Sequence, residues 1–221
     1  MSTEEYIYTH GICVKELFHD IQYLKVIRSY SYFATLIIPY LSFTITTLIF
    51  NNTPNDDHTY YFKLPYELEN LRRLELNYFT MELDNLNFFS NKQYLQLNHL
   101  VINNIEVKGS KVVNINLSNY PKLESLTIRG RFMVVFNGRS NLKMLSLDYC
   151  DLTKATINND IFPKINQFLF TSGNHILSRH LYSIFNMSII TYLEFSRSQL
   201  TFLIKEIYPK KINNMRMYFC I

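Results

Sequence analysis

The chain has no tryptophan, five glycines and only two alanines, Ala34 and Ala155, among 221 residues. Alanine is the best helix former, so its scarcity argues against a helical bundle. With so few glycines there is no phosphate-cradling loop of the GxxxxGK type. HExxH and GxSxG are also missing, so no catalytic signature is legible. The three cysteines, Cys13, Cys150 and Cys220, are odd in number and far apart. That spacing excludes a disulfide framework and a CxxC metal knuckle. Charged residues make up 18%, below the quarter or so usual for soluble domains. The net charge of +4 is dispersed over Arg72–Arg73, Lys210–Lys211 and a loose group of Arg129, Arg131, Arg139 and Lys143. Nucleic-acid binders carry a denser basic patch, so none is expected as a partner. The first residues, MSTEEYIYTHGICVKELFHD, hold Glu4 and Glu5 where an export signal would be basic, and a cytoplasmic location is expected.

Phenylalanine and tyrosine are plentiful at 17 each, and isoleucine and asparagine are abundant. β-Branched and aromatic side chains favour strands. Residues 29–55 contain no charge at all, a length sufficient to cross a bilayer. Pro39 near its middle would break a helix, and Thr35, Ser42, Thr44, Thr46 and Thr47 make it polar for a span. A membrane anchor over 29–55 is therefore the lesser reading, and a buried repeat the preferred one.

A fixed-period pattern supports that preference. NLRRLELNYFTM (70–81), KLESLTIRGRFM (122–133) and NLKMLSLDYCDL (141–152) share an apolar-x-x-apolar-x-apolar core. The core recurs nine times, starting at Ile21, Ile45, Leu71, Leu97, Leu123, Leu142, Ile165, Ile190 and Ile212. Successive copies lie 24, 26, 26, 26, 19, 23, 25 and 22 residues apart. Side chains alternate along a strand, so the fourth and sixth slots point to one side. No single repeat can bury that row; stacked repeats can, as a parallel sheet with a continuous core. The pattern predicts return segments of short helical or 3-10 turns and loops, with amphipathic candidates at 83–93, 177–187 and 201–211.

The residues between the core slots then form outward columns. One runs Tyr23, Thr47, Arg73, His99, Ser125, Met144, Gln167, Tyr192 and Asn214; the others are equally mixed. Tyrosine and arginine are common anchors of protein interfaces. The expected binding set is Tyr23, Arg73, His99, Arg129, Tyr149, Tyr192 and Tyr218. No catalytic residue, cofactor or metal ligand is expected. His10, Cys13 and His19 have loosely ligand-like spacing but read better as part of a cap, and His175 and His180 fall in a loop and a return segment.

The apolar core and its period resemble the leucine-rich repeat superfamily over about 200 of the 221 residues. The resemblance implies an α/β solenoid: a curved parallel sheet on the concave face, with short helices, 3-10 turns and loops on the convex side. It also implies a non-enzymatic scaffold that binds a protein partner on the concave face. The family places Asn or Cys three positions after the last core residue. Cys150 and Cys220 match; Phe79, Ile105 and Arg131 depart from the pattern. Within the superfamily the style of the chain resembles the leucine-rich repeat gene family of insect poxviruses, the entomopoxviruses. That implies a virus-encoded binder in the host cell cytoplasm. An alternative is the substrate-recognition component of a ubiquitin ligase, although only 20 residues precede the first repeat and an F-box needs more. Residues 1–20 are expected to form an N-terminal cap and 21–221 a solenoid of about nine degenerate repeats. No C-terminal cap is evident, so MRMYFCI (215–221) is a candidate edge for oligomerisation.

Overall fold

The computed structural model describes residues 20–27, 44–51, 68–78, 80–82, 94–104, 106–108, 112–171, 178–187, 190–196 and 214–218. Nine five-residue strands line up in one sheet: β1 (Tyr23–Ile27), β2 (Thr47–Asn51), β3 (Arg73–Asn77), β5 (His99–Asn103), β8 (Ser125–Arg129), β10 (Met144–Asp148), β11 (Gln167–Thr171), β12 (Tyr192–Ser196) and β13 (Asn214–Tyr218). They stack in that order and every neighbouring pair is parallel. The register is constant. Tyr23 pairs Thr47, Thr47 pairs Arg73, Arg73 pairs His99, and the column continues unbroken to Asn214. The chain is a parallel β-solenoid, and the nine sequence repeats are its nine rungs.

The register follows from where the apolar residues go. The fourth-slot residues Leu48, Leu74, Leu100, Leu126, Leu145, Phe168 and Leu193 are buried. So are the sixth-slot residues Phe50, Leu76, Ile102, Ile128, Leu147, Phe170 and Phe195. A slip by one residue would turn each row out to solvent, at about 1.5–3 kcal/mol per large side chain. From Ile45 to Ile190 the first slot is buried for a different reason: there the chain turns into the strand. The next residue's carbonyl accepts two N–H groups from the following rung. Gln22 O accepts from Thr46 and Thr47 at 2.8 and 3.0 Å; Thr46, Arg72, Asn98, Glu124, Lys143 and Asn166 do the same one rung on.

A fourth inward position, three residues before the first slot, escaped the sequence pattern. Leu68, Tyr94, Tyr120, Phe162 and Met187 occupy it, and all are buried. Backbone bonds such as Leu123 N to Tyr120 O at 3.1 Å close a tight turn there. Tyr94 and Tyr120, on adjacent rungs, stack with ring centroids 5.9 Å apart. In the second half, aromatic contacts run from Phe136 to Phe162, Phe168, Phe170 and Phe195, with centroids 5.4–6.4 Å apart.

The return side corrects one expectation. Helical turns and loops were predicted, but the middle rungs return through further strands. β4 (Thr80–Glu82) pairs β6 (Glu106–Lys108), and β7 (Val112–Asn116) pairs β9 (Met133–Asn137), both parallel. The reason is alternation: Val113, Ile115, Val134 and Phe136 point inward, and their β-branched and aromatic character suits a pleated layer. The described returns also include one 3-10 turn, Leu117–Asn119, and one α-helix, α1 (Ser178–Phe185), inside the amphipathic segment expected at 177–187. The described part is therefore mainly β, with α1 and one 3-10 turn as its helical elements, and the expected α/β character is not evident in it. The segments 83–93 and 201–211 lie outside the described residues, as do 1–19 with His10, Cys13 and His19.

Of the uncharged segment 29–55, residues 44–51 are described. They carry β2, with Ile45, Leu48 and Phe50 fully buried against the neighbouring rungs. Among the described residues no helix is long and apolar enough to cross a membrane.

Candidate binding face

Each strand presents three residues away from the core, and the constant register turns them into three columns across nine strands. The middle column is uncharged over four adjacent rungs: Val101, Thr127, Ser146 and Leu169, all half-buried. Charged and aromatic residues flank this strip on both sides.

On the N-terminal side Arg73 and His99 are direct register partners, both exposed. Arg73 donates to Glu75, two residues along its own strand and hence on the same face, with Nε at 2.7 Å from Oε1. In the middle Arg129 meets Asp148 on the next strand, Nε to Oδ2 at 2.9 Å. Its guanidinium also lies 5.8 Å from the ring centroid of Tyr149. Tyr149 is aimed there by its backbone. It follows β10 at φ 58°, matching Tyr78 at 61° and Asn104 at 51° at the equivalent place after β3 and β5. That left-handed turn costs a non-glycine residue about 1–2 kcal/mol, and it ends the strand the same way on three rungs. On the C-terminal side the Tyr192 hydroxyl donates to Glu194, and the Arg216 guanidinium lies 5.9 Å from the Tyr192 ring centroid.

The structure thus brings Arg73 together with His99, and Arg129 together with Tyr149. Tyr192 stands three strands from Arg129, about 14 Å at the usual strand spacing. Tyr23 is 58% exposed and isolated from the others on β1. Tyr218 ends β13 opposite Ser196, and its side chain lies outside the described set. Glu75, Asp148, Glu194 and Arg216 were missed as members. For Glu75 and Glu194 the signal existed in the sequence, since residues two apart on a strand share a face; Asp148 and Arg216 reach their partners from the neighbouring strand.

A row of polar side chains closes one edge of the face. Asn77 Nδ2 donates to Asn51 Oδ1 one rung away, and Asn103 and Arg129 continue the column. The opposite edge, at the strand entries, has cross-rung pairs: Lys143 Nζ to Glu124 Oε1 at 2.8 Å and Lys122 Nζ to Gln96 Oε1 at 2.7 Å. The Lys143 hydrogen bond holds the Glu124 carboxyl below its ordinary value. Such exposed pairs are screened by solvent and contribute little to stability; they position side chains more than they hold the fold.

Groups shifted by burial lie elsewhere. Burial pushes the Cys150 thiol up to about 12, against the pull of backbone hydrogen bonds. Its Sγ lies 3.6 Å from Ile128 O on the preceding rung and 3.4 Å from Asp148 O. Burial raises the Tyr120 hydroxyl far above its ordinary range. His180, on α1, is lowered by burial, and its Nε2 sits 3.0 Å from Ala155 O on the return side. Among the described residues no three of His, Cys, Asp and Glu converge as a metal site would require. The face carries ion pairs, hydrogen-bonding groups and aromatic rings. In comparisons with protein-family models, curated proteins and solved structures, nothing matches this chain.

Proposed function

We propose that the chain is a leucine-rich repeat solenoid acting as a non-enzymatic scaffold, with a protein partner seated on the open face of its nine-stranded sheet. The observation that carries this is the unbroken register, which joins residues dispersed over some 190 positions into one surface with an uncharged centre and a charged, aromatic rim. A weakly polar centre inside a polar rim is the usual anatomy of a protein interface. Two features favour the leucine-rich repeat type. The first is the 19–26-residue period with its fixed apolar slots. The second is Cys150, whose thiol faces backbone carbonyls where the chain leaves β10, the task that Asn or Cys performs there in regular repeats. The resemblance to the insect poxvirus family extends the proposal to a host-directed binder in the cytoplasm of an infected cell.

The test is affinity capture from host-cell lysate with the wild type and with Arg73→Glu combined with Tyr192→Ala. Both side chains lie on the outward face, so thermal unfolding should barely change. Partners lost from the variant support the reading. Identical capture lists from two equally folded proteins contradict it.

A further inference from the structure

The charges on the open face are not distributed evenly in height. Five residues of the three outward columns are basic: Lys25, Arg73, His99, Arg129 and Arg216. All five are exposed. Three are acidic, Glu75, Asp148 and Glu194, and all three are half-buried beneath the bases or beside them. Within the ion pairs the contrast is direct: the side chain of Arg73 is 49% exposed against 17% for Glu75, and that of Arg129 is 44% against 17% for Asp148. Counting charges alone gives a nearly balanced surface, yet an approaching partner meets the cations first. Glu75 and Asp148 work from below, fixing the guanidinium groups of Arg73 and Arg129 in one orientation so that less side-chain freedom is lost when a second anion docks. Tyr149 and Tyr192 add to this, each lying against one guanidinium.

We propose that the partner segment on this face is an acidic polypeptide stretch, running across the strands, with an apolar residue over Val101, Thr127 and Leu169. This rests on the scaffold reading above and narrows it to a chemistry. The span from Arg73 on β3 to Arg216 on β13 is six strand steps, about 29 Å, which an extended peptide of about nine residues covers. Two features select a polypeptide over a nucleic acid. The cations are spread over β1, β3, β5, β8 and β13 and do not form the dense patch that a phosphate backbone needs. The uncharged middle column suits an apolar side chain.

The test uses fluorescein-labelled synthetic peptides of about 12 residues, long enough to overreach the strip. One is glutamate-rich with a central leucine; others replace every glutamate by glutamine or by lysine. A single-stranded DNA oligonucleotide of equal negative charge completes the set. Fluorescence anisotropy should show the glutamate peptide binding best and weakening as salt rises from about 50 to about 500 mM. Arg73→Gln with Arg129→Gln should weaken it roughly 3- to 30-fold, the range for losing two exposed ion pairs. Arg73→Lys with Arg129→Lys should retain most of the binding. Lys25→Gln, at an exposed residue two strands beyond the strip, should leave binding nearly unchanged; a loss as large as that of the double arginine variant overturns the strip. Equal binding of the glutamine or lysine peptide overturns the preference for acid, and so does tighter binding of the oligonucleotide. If no peptide binds while Arg73→Glu with Tyr192→Ala still loses cellular partners, the acidic inference falls and the scaffold reading stands. If neither effect appears, both fall.

Discussion

The two sides of each rung obey different rules. On the sheet side nine strands have the same length and the same register, and at seven of their eight junctions one carbonyl at the entry accepts two N–H groups. On the return side neighbouring rungs differ: β7 and β9 are strands, residues 152–163 are irregular, and α1 is a helix. Both sides bury apolar residues completely, Phe168 and Leu145 on one, Ile157 and Leu152 on the other. Burial therefore does not distinguish them. The sheet side must match its neighbours hydrogen bond for hydrogen bond on every rung, whereas the described returns pair only locally, β4 with β6 and β7 with β9, and elsewhere have to fill the space above the core. The interval between copies can then vary from 19 to 26 residues without disturbing the ladder.

The largest expected effect tests the sheet side. Phe168→Ala removes a ring fully buried between Phe162 and Phe170 and should cost about 3–5 kcal/mol in chemical denaturation. A loss below about 1 kcal/mol would mean that the aromatic run is not packed as described.

Gly138→Ala asks whether a return can be as strict as the sheet. Gly138 turns the chain after β9 at φ +74°, and a Cβ there would meet Ser118 Oγ at 2.2 Å and Asn116 Oδ1 at 2.8 Å on the previous rung. The expected cost is about 1–3 kcal/mol by the same measurement, since the φ is unfavourable and the space is filled. A neutral result would show that this return shifts freely and would widen the contrast between the sides.

Two pH experiments separate the sides further. Burial raises the Cys150 thiol above its ordinary 9.0, to about 12. The unfolded chain loses that proton first as pH rises, so the stabilisation is intact below about 9 and drains away between about 9 and 12. Cys150→Ala should flatten that alkaline slope in thermal melts at the cost of about 1 kcal/mol. On the return side burial lowers His180 below its ordinary 6.5. Here the unfolded chain gains a proton first as pH falls, so stability is complete above about 6.5 and declines below it. His180→Gln should reduce the drop in Tm between about pH 7.5 and pH 5.5. The smallest effect belongs to Glu124→Gln at the exposed entry edge, where thermal melts should show no resolvable change despite the Lys143 contact.

How much of this was legible in the sequence follows from the same division. The sheet side announces itself because its slots repeat, and the fixed L-x-x-L-x-L core gave all nine strands and the column in which Tyr23, Arg73, His99 and Tyr192 stand. The return side keeps no period, so VVNIN at 112–116 and MVVFN at 133–137 were passed over even though their alternation spells a strand. The inward position of Leu68, Tyr94, Tyr120 and Phe162 was hidden because a serine and an arginine, Ser42 and Arg139, stand at that place in other copies. At the outward face the tyrosines and arginines could be named but their pairing could not. That Arg129 meets Asp148 rather than a nearer neighbour depends on which strands adjoin, and sequence separation does not carry that.

The central claim is that the repeats stack one strand spacing at a time, and pulsed electron paramagnetic resonance tests it directly. Spin labels placed at Tyr23 and Gln167, six strands apart in one column, should lie about 29 Å apart, and labels at Tyr23 and Asn214, eight strands apart, about 38 Å. Distances that grow with the number of rungs between the labels agree with the ladder. A Tyr23–Asn214 distance no longer than the Tyr23–Gln167 one would contradict it, and with it the continuous face on which the proposed function stands.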